Sequence, residues 1–280
     1  MKPIVSIMAQ GTMGAATAER LVANGLEVRT VVSGRSAASA ERARKAGMKP
    51  VTDAELIEAD FLLSVVPPAE AIPLAKRYAP LLMRAAKKPV FVDLNAINPD
   101  TAMMVEMIVA PTRCHFVDGG IIGMPPREGY SPVYYVSGAE AERVMELAPF
   151  GLTVKVLDAP AGAASALKMS YAGITKGLIA CGSAMILAAS RAGVAEVLFN
   201  ELSASQANVL NGFSRSIPDM FGKAYRWVAE MEQISDFAGM EGSEHDLYAA
   251  IAGFYDRLGK DQAGDQNEIA VLKSFFAPKG

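Results

Sequence analysis

The sequence predicts an α/β protein in which a domain with a doubly wound parallel sheet, residues 1–160, precedes an all-α C-terminal domain, residues 161–280. Two observations predict this fold class. Short β-branched runs alternate with helical stretches up to about residue 157, which is the pattern of β-α units around a parallel sheet. After Pro160-Ala161-Gly162 no strand pattern follows, and the remaining residues have the pattern of helices.

The elements of the first domain follow from these runs and from the turns between them. Asn24-Gly25 ends the first helix, and Asn98-Pro99-Asp100 begins a later helix with proline in its first turn. Strands are expected at 4–8, 28–32, 61–66, 90–94, 115–117, 133–136 and 154–156, and helices at 13–24, 39–46, 70–86, 100–109 and 139–148.

The second domain begins with a helix over about residues 163–192. Because this helix carries small and apolar residues on nearly every face, we expect it to be buried on most of its circumference. Its longest uncharged run, 177–190, is too short to cross a bilayer, which needs about 20 residues, so no membrane partner is expected. Small residues also permit close helix approach, and we expect a homodimer formed through this helical domain. The alternative is a monomeric helical core, which has the same pattern.

Composition excludes several classes of protein. Apolar residues make up 51% of the chain and charged residues 20%, which excludes a disordered chain. The net charge of -3 gives no basic field, so no nucleic-acid partner is expected. Cys114 and Cys181 are too few for a disulfide framework or a zinc cage, and no signal peptide is recognisable. These features predict a cytoplasmic protein without a catalytic metal.

A glycine motif directly after the first strand predicts a nucleotide site. The segment Ala9-Gln10-Gly11-Thr12-Met13-Gly14 opens a helix, as the dinucleotide fingerprint of a Rossmann-type domain does. Its glycines allow a tight turn and let backbone N–H groups approach a pyrophosphate at the helix N-terminus. We therefore expect Gln10, Gly11, Thr12, Met13 and Gly14 to bind the cofactor. Ala9 replaces the first glycine, which predicts a turn that a methyl group tolerates. The alternative is a glycine-rich turn that binds no ligand.

The end of the second strand favours NADP(H) over NAD(H). An NAD site carries a carboxylate about 20 residues beyond the fingerprint, to accept hydrogen bonds from the ribose 2′-hydroxyl. This chain has Ser33-Gly34-Arg35-Ser36 there, and Glu27 lies at the wrong end of the strand. Because arginine forms charge-assisted hydrogen bonds with phosphate, Ser33, Arg35 and Ser36 are expected to hold a 2′-phosphate. In the alternative, Arg35 is one of several solvated charges, with Arg42, Arg44 and Lys45.

Two later strand ends lie where an open parallel sheet binds its ligand, outside the carboxyl ends of the strands. Val65, Val66 and Pro67 follow one strand, and Asn95 follows the next. We expect all four to contact the cofactor. Asn95 is also expected to reach a substrate, because a polar side chain past an apolar strand can bind a nicotinamide or a carboxylate. Both segments also fit ordinary turns that end at proline.

The order of these parts resembles the beta-hydroxyacid dehydrogenase family, whose N-terminal half is similar to the NAD-binding domain of 6-phosphogluconate dehydrogenase. The resemblance covers most of the chain. Residues 117–123, Val-Asp-Gly-Gly-Ile-Ile-Gly, stand where the family has its substrate-binding Asp-Ala-Pro-Val-Ser-Gly-Gly stretch, and residues 162–168 match the small-residue run that ends in the catalytic lysine. Residues 168–177 and 226–231 resemble a less-studied helical domain that accompanies this cofactor domain.

The resemblance implies that Lys168 is the general acid/base of a hydride transfer and that Gly119, Gly120 and Ile121 bind substrate. Because Lys168 lies among Ala, Ser, Leu and Met, burial is expected to lower its pKa toward the working pH. Tyr171 and Thr175 fall on neighbouring turns of one broad helix face and are expected to line the substrate pocket. In the alternative, the Lys168 stem lies along an apolar helix with its ammonium in water.

The sequence also departs from the family. Ala172 stands where the family has an asparagine, and Ile122 and Met124 replace the hydroxyl and a glycine that grip the substrate carboxylate. The leading hypothesis is an NADP(H)-dependent oxidoreductase that acts on the carbonyl or alcohol carbon of a small, acidic substrate. One alternative is an imine reductase-like enzyme, although such enzymes generally lack the lysine. Another is a non-catalytic NAD(P)-binding sensor.

Overall fold

The computed structural model describes residues 2–277. The chain divides into two compact units, the first ending at Met169 and the second beginning at Ser170. The sequence predicts the division at 160/161, before the long helix, whereas the structure divides the chain inside that helix. The reason is that the first turns of the helix are hydrogen-bonded to the sheet, as described below.

The first unit is built around one sheet with the strand order β3-β2-β1-β4-β5-β6-β7-β8. The pairs that join β1 to β6 are parallel, in the Rossmann order 3-2-1-4-5-6, which confirms the predicted fold class. β7 runs antiparallel to β6 and β8 runs parallel to β7. The strands are β1 Val5–Met8, β2 Val28–Thr30, β3 Lys49–Pro50, β4 Phe61–Ser64, β5 Val90–Asp93, β6 Phe116–Ile122, β7 Val133–Ser137 and β8 Thr153–Val156.

Helices cover both faces of this sheet, and residues that alternate along the strands enter two separate apolar clusters. Val5 and Ile7 belong to one cluster, and Leu62 and Phe91 belong to the other. The helices are α1 Thr12–Ala23, α2 Ala37–Lys45, α3 Asp53–Leu56, α4 Ala71–Arg84, α5 Pro99–Val109 and α6 Ala163–Arg191, with 3-10 helices at Pro68–Glu70, Ala110–Thr112 and Ala141–Phe150.

Several predicted elements differ from the structure. Two short elements are not among those predicted: β3, a two-residue edge strand that contains Pro50, and α3, a single turn fixed by a capping box between Thr52 and Glu55. The predicted strand 115–117 extends to Ile122 because residues 118–122 pair with β7. Two glycines in this segment lower its strand propensity, so the extension is not predicted from the sequence. The predicted helix 139–148 is a 3-10 helix.

The second unit contains the rest of α6 and the helices α7 Ala195–Ser205, α8 Ala207–Met220, α9 Ala224–Ala238, α10 Ser243–Ala263 and α11 Asn267–Phe275. Lys176 of α6 forms an ion pair with Glu230, and its ammonium lies 4.7 Å from the centroid of the Trp227 ring. The buried Tyr255 hydroxyl donates a hydrogen bond to the Lys176 carbonyl oxygen at 2.6 Å. These contacts join α6 to α9 and α10.

Helix α6 is less buried than the sequence predicts. Tyr171, Ile174, Leu178 and Met185 expose between 49% and 64% of their surface, so the expectation of burial on most of the circumference is wrong. The four positions recur at helical spacing and form one apolar stripe. In the part of the chain that the structure describes, α6 is also the one helix long and apolar enough to span a membrane, a criterion of length and composition that core helices of soluble proteins also meet.

Candidate functional site

Four neighbouring strands reach one level at their carboxyl ends. Met8 pairs with Ser64, Ser64 with Asp93, and Asp93 with Asp118. We call this level the carboxyl edge of the sheet. The strand order reverses between β1 and β4, so the crevice in which open α/β sheets bind ligands lies at this edge.

The turn between β1 and α1 holds Ala9 in a backbone conformation that the sequence does not predict. Ala9 has a φ of 126°, in the region that glycine adopts freely and other residues rarely do. The expectation of a turn that a methyl group tolerates is therefore wrong, and Ala9 holds a strained conformation. Gly14 explains the close packing of α1 on this turn, because a Cβ at Gly14 would lie 2.5 Å from the carbonyl oxygen of Ala9.

Gly11 differs from Gly14, because the fold itself does not require a glycine there. Its φ of -67° suits any residue, and a Cβ at this position would meet no atom within 4 Å. The first turn of α1 has no side-chain cap and no acidic residue, so its N–H groups and the helix dipole favour an anion. Thr12 is exposed and Met13 half-buried beside this open space. These features fit a dinucleotide pyrophosphate.

Gln10 has a different place from the one expected of a cofactor contact. Its side chain is buried, and Nε2 donates to the Thr30 hydroxyl and to the Val31 carbonyl oxygen. The amide donors of Gln10 therefore join the β1 turn to the end of β2. Its backbone carbonyl accepts a hydrogen bond from Nε of Arg42 at 2.6 Å.

The serine and arginine residues after β2 lie between the end of that strand and the start of α2. Ser33, Arg35 and Ser36 are exposed, and the Ser36 hydroxyl caps α2 by accepting the Ser39 N–H. Arg42, expected in one interpretation to be a solvated charge, is half-buried and bonded both to Gln10 and to the Ser39 hydroxyl. The sequence could have indicated this arginine, since it lies on the first helix after β2.

Asn95 is buried and uses its side chain within the protein. Its Oδ1 accepts the Val66 N–H at 2.6 Å, and its Nδ2 donates to the Ser64 hydroxyl and to the Asp93 carboxylate at 2.8 and 2.9 Å. Because both amide protons are bonded, Asn95 has no donor left for a nicotinamide or a substrate. The Asn95 side chain joins the ends of β4 and β5, and its contact with cofactor or substrate stays a prediction. Val65 and Val66 are half-buried and Pro67 is exposed, just beyond the carboxyl edge.

Two fully buried carboxyl groups lie side by side at the carboxyl edge. Asp93 accepts the backbone N–H and the side-chain amide of Asn95. Burial, together with the neighbouring charge of Asp118, raises the pKa of Asp93 from 3.8 to about 7. Asp118 accepts hydrogen bonds from the Ser137 hydroxyl, the Gly162 N–H and both the N–H and the hydroxyl of Ser165.

Beyond Asp118, strand β6 continues past the carboxyl edge, with one face toward the apolar core and the other toward α6. A Cβ at Gly119 would contact Leu94 at 2.7 Å, and Ile121 is buried in one of the apolar clusters, so the Ile121 side chain is not available to bind substrate. Gly120 faces the other way, toward α6. A Cβ at Gly120 would lie 2.8 Å from Cβ of Lys168 and 3.0 Å from the Ala164 carbonyl oxygen.

The first unit therefore brings Lys168, which is half-buried, against β6 just beyond the carboxyl edge. Tyr171 and Thr175 belong to the second unit. Tyr171 is exposed, and the Thr175 hydroxyl donates to the Tyr171 carbonyl oxygen of its own helix at 2.9 Å. Among residues 2–277, no group of three or more His, Cys, Asp or Glu is arranged to hold a metal ion.

The fold and the crevice define a dinucleotide-binding protein, and comparison with known proteins identifies its family. Residues 5–153 match the family model of the NAD-binding domain of 6-phosphogluconate dehydrogenase, which covers more than half of the chain. The chain belongs to this family, and with it to the class of NAD(P)-dependent dehydrogenases. Residues 189–258 match a domain of unknown function, DUF1932.

Several relatives share this architecture. An uncharacterized 28.5 kDa protein from Methanothermus fervidus is 30% identical over 183 residues, which cover 65% of this chain and 69% of the relative. A conserved protein of unknown function, described as structurally similar to 3-hydroxyacid dehydrogenases, is 28% identical with a TM-score of 0.71, over 92% of this chain and 97% of that chain. The 3-hydroxyisobutyrate dehydrogenase of Mycobacterium tuberculosis gives a TM-score of 0.75 at 20% identity, over 99% of this chain and 100% of that chain, which shows the shared fold.

The two glycines of the α1 turn make a matched pair for testing the pyrophosphate site. We expect Gly11→Ala to leave the free energy of unfolding unchanged or to raise it by about 0.4–1 kcal/mol, because the methyl enters open space at a compatible φ. The same methyl should weaken NADPH binding. Gly14→Ala should lower the free energy of unfolding by about 1–3 kcal/mol through its clash with Ala9. Denaturant titration and NADPH fluorescence measure the two effects, and undiminished NADPH affinity in Gly11→Ala contradicts the assignment.

The raised pKa of Asp93 predicts a pH dependence of stability. The unfolded chain loses this proton near pH 3.8, whereas the folded protein keeps it to about pH 7. Between these values the unfolded state binds fewer protons, so the free energy of unfolding falls as the pH rises. Urea denaturation at about pH 5.5 and about pH 8 should show this fall. The fall should be smaller in Asp93→Asn, which cannot ionise; an equal fall in both proteins would exclude Asp93 as its source.

Proposed function

We propose that this protein is an NADP(H)-dependent oxidoreductase that acts on the carbonyl or alcohol carbon of a small substrate, with Lys168 as general acid/base. One observation carries the proposal. Lys168 lies against Gly120 just beyond the carboxyl edge, and the open first turn of α1 follows β1 at that same edge. A proton donor and a dinucleotide site in one crevice are what hydride transfer to a carbonyl requires.

The residues that would hold the dinucleotide divide by chemistry. The N–H groups at Gly11, Thr12 and Met13 face the pyrophosphate position, and the half-buried Val65 and Val66 offer apolar contact. The Gln10 and Asn95 side chains act indirectly on the dinucleotide, because they fix the turn after β1 and the segment after β4. When bound, the nicotinamide supplies or accepts the hydride.

The proposed preference for NADP(H) is supported by the charges after β2. No carboxylate follows this strand, and Glu27, at its start, is paired with Arg29 and Lys49. Arg42 is held beside the turn by its bonds to Gln10 and Ser39, so part of its side-chain entropy is already lost before a ligand binds. Together with the exposed Arg35, it offers two guanidinium groups for a 2′-phosphate. Related folds have been solved with either cofactor: Psf3 with NADP+ and a Myxococcus stipitatus imine reductase variant with NAD+.

The role proposed for Lys168 is proton transfer at the substrate oxygen. Its ammonium donates a proton to the oxygen of a carbonyl that is being reduced, and its amine accepts that proton in the reverse direction. The apolar Ile122 on the same face of β6 helps to exclude water from this position. Homodimer formation through the helical domain stays a prediction, and the exposed apolar stripe on α6 supports it. Cytoplasmic location also stays a prediction.

Two rival functions lead to different outcomes in one experiment. A sensor binds NADPH and quenches its fluorescence without consuming it when keto acids, aldehydes, ketones and imines are added. An imine reductase-like enzyme consumes NADPH with imines and not with the carbonyl compounds. Consumption of NADPH with a carbonyl compound supports the proposal.

Cofactor preference is tested by single substitutions of the two arginines. We expect Arg35→Ala and Arg42→Ala each to weaken NADPH binding by about 10- to 100-fold, because each removes a charged hydrogen-bond donor worth about 1.5–3 kcal/mol. NADH affinity should change little in Arg35→Ala and fall modestly in Arg42→Ala, which also loses its bond to Gln10. The control is Arg44→Ala, since Arg44 lies on α2, as Arg42 does, but is paired with Glu41. An equal loss for both cofactors in Arg35→Ala refutes the 2′-phosphate site.

The role of Lys168 is tested by Lys168→Met, which retains the aliphatic volume without the amine. We expect kcat to fall by about 10²- to 10⁴-fold, the usual contribution of general acid–base catalysis, with the Kd for NADPH nearly unchanged. Lys155→Met is the control, because Lys155 is exposed on β8 of the same unit. Turnover at the wild-type rate in Lys168→Met would end this mechanism.

A further inference from the structure

We propose that Asp118 is a positioning residue for Lys168: its buried carboxylate fixes the first turn of α6 on β6 and so determines where the lysine lies. The catalytic half of this inference rests on the proposed function of Lys168. The structural half stands on the hydrogen bonds and on the close contact at Gly120.

The Asp118 carboxylate joins three elements. Asp118 lies on β6 and accepts a hydrogen bond from the Ser137 hydroxyl of β7 at 2.9 Å. At the start of α6 it accepts hydrogen bonds from the Gly162 N–H at 2.9 Å and from the Ser165 N–H at 3.0 Å. The Ser165 hydroxyl donates to the other carboxylate oxygen. The Ser137 hydroxyl in turn accepts the Ala164 N–H at 3.0 Å. Asp118, Ser137 and Ser165 have no exposed surface.

These bonds replace an ordinary helix cap. The first N–H groups of a helix have no partner within the helix and normally bind a side chain of the preceding residue. Here the preceding residue is Gly162, at a φ of 96°, which has no side chain to offer. The cap is supplied from the sheet instead, and its negative charge lies at the positive end of the helix dipole. The start of α6 therefore takes its position from β6.

A second contact on the same face of β6 completes the attachment. Asp118 and Gly120 are two residues apart on a strand and point to the same side, whereas Ser165 and Lys168 are three residues apart on a helix and lie on one face. Asp118 therefore meets Ser165 while Gly120 meets Lys168. Because Gly120 has no side chain, Cβ and Cγ of Lys168 approach the strand closely, at 2.8 and 3.5 Å from where a Cβ would be.

The two attachments, Asp118 to Ser165 and Gly120 to Lys168, fix both the position of the first turns of α6 along β6 and their rotation about the helix axis. One point alone would let the helix turn about it and move the lysine relative to the carboxyl edge. Misplacement of a catalytic group by about 1 Å can cost about 100-fold in rate. Asp118 therefore acts on catalysis through Lys168, without contact with the substrate.

The test compares Asp118→Asn with Asp158→Asn, which makes the same change at an exposed residue of the segment before α6. The asparagine side chain at position 118 carries no charge, and its NH₂ group would face the hydrogen-bond donors that the Asp118 carboxylate accepts. We expect amide hydrogen exchange in residues 163–169 to quicken at least about tenfold, and kcat to fall at least about tenfold, with the Kd for NADPH nearly unchanged. Asp158→Asn should alter none of these.

Two further variants keep the test decisive if Asp118→Asn does not fold. Ser165→Ala removes one donor and keeps the charge, and Gly120→Ala obstructs the second contact without touching Asp118; both should lower kcat and leave NADPH binding intact. Unchanged exchange in residues 163–169 together with unchanged kcat in the folded variants would overturn the proposal. Failure of the proposed function is distinguishable, because Lys168→Met would then retain turnover while Asp118→Asn still quickened exchange.

Discussion

The candidate site depends on one constraint: the buried polar groups at the carboxyl edge must satisfy one another. Asp118 is fully buried and could not remain charged there without donors, and it finds them on β7 and α6. Asp93 beside it has the two donors of Asn95, and its pKa is raised to about 7 by burial and by the charge of Asp118. The arrangement of the sheet, of α6 and of the segment after β4 follows from these pairings.

A consequence of this network is that polar side chains which look like ligand contacts in the sequence are structural. Gln10 and Asn95 each follow a strand at the expected edge, yet the side chain of each is bonded within the protein. At the turn after β1 and the segment after β4, the surface left open toward a ligand is backbone and apolar, at Gly11 and at Val65 and Val66. Backbone N–H groups of a helix N-terminus suit a pyrophosphate better than flexible side chains do, because their positions are fixed before binding.

The sequence predicted the fold class well because the period of the apolar runs and the glycine turn are local signals. Its errors have physical causes that are not local. Ile121 looked available because a single sequence does not indicate which face of β6 enters the core, and the Asp118–Ile122 pairing with β7 decides that. The Ala9 methyl looked compatible with the turn, but the packing of α1 through Gly14 imposes a φ of 126° on it. Arg42 looked solvated because one of its partners, the Gln10 carbonyl, is distant in the sequence and meets it only in the folded chain.

The same network explains how distant segments of the first unit act as one site. The turn after β1 is tied to the end of β2 through Gln10, and the segment after β4 is tied to β5 through Asn95. β5 lies in register with β6 at Asp93 and Asp118, and Asp118 holds α6. Each link is a hydrogen bond of a buried side chain or a pair of strand neighbours, so a displacement at one segment strains the next. A strained Ala9 at one end and a close-packed Gly120 at the other are tolerated because the bonds between them leave little freedom to relax.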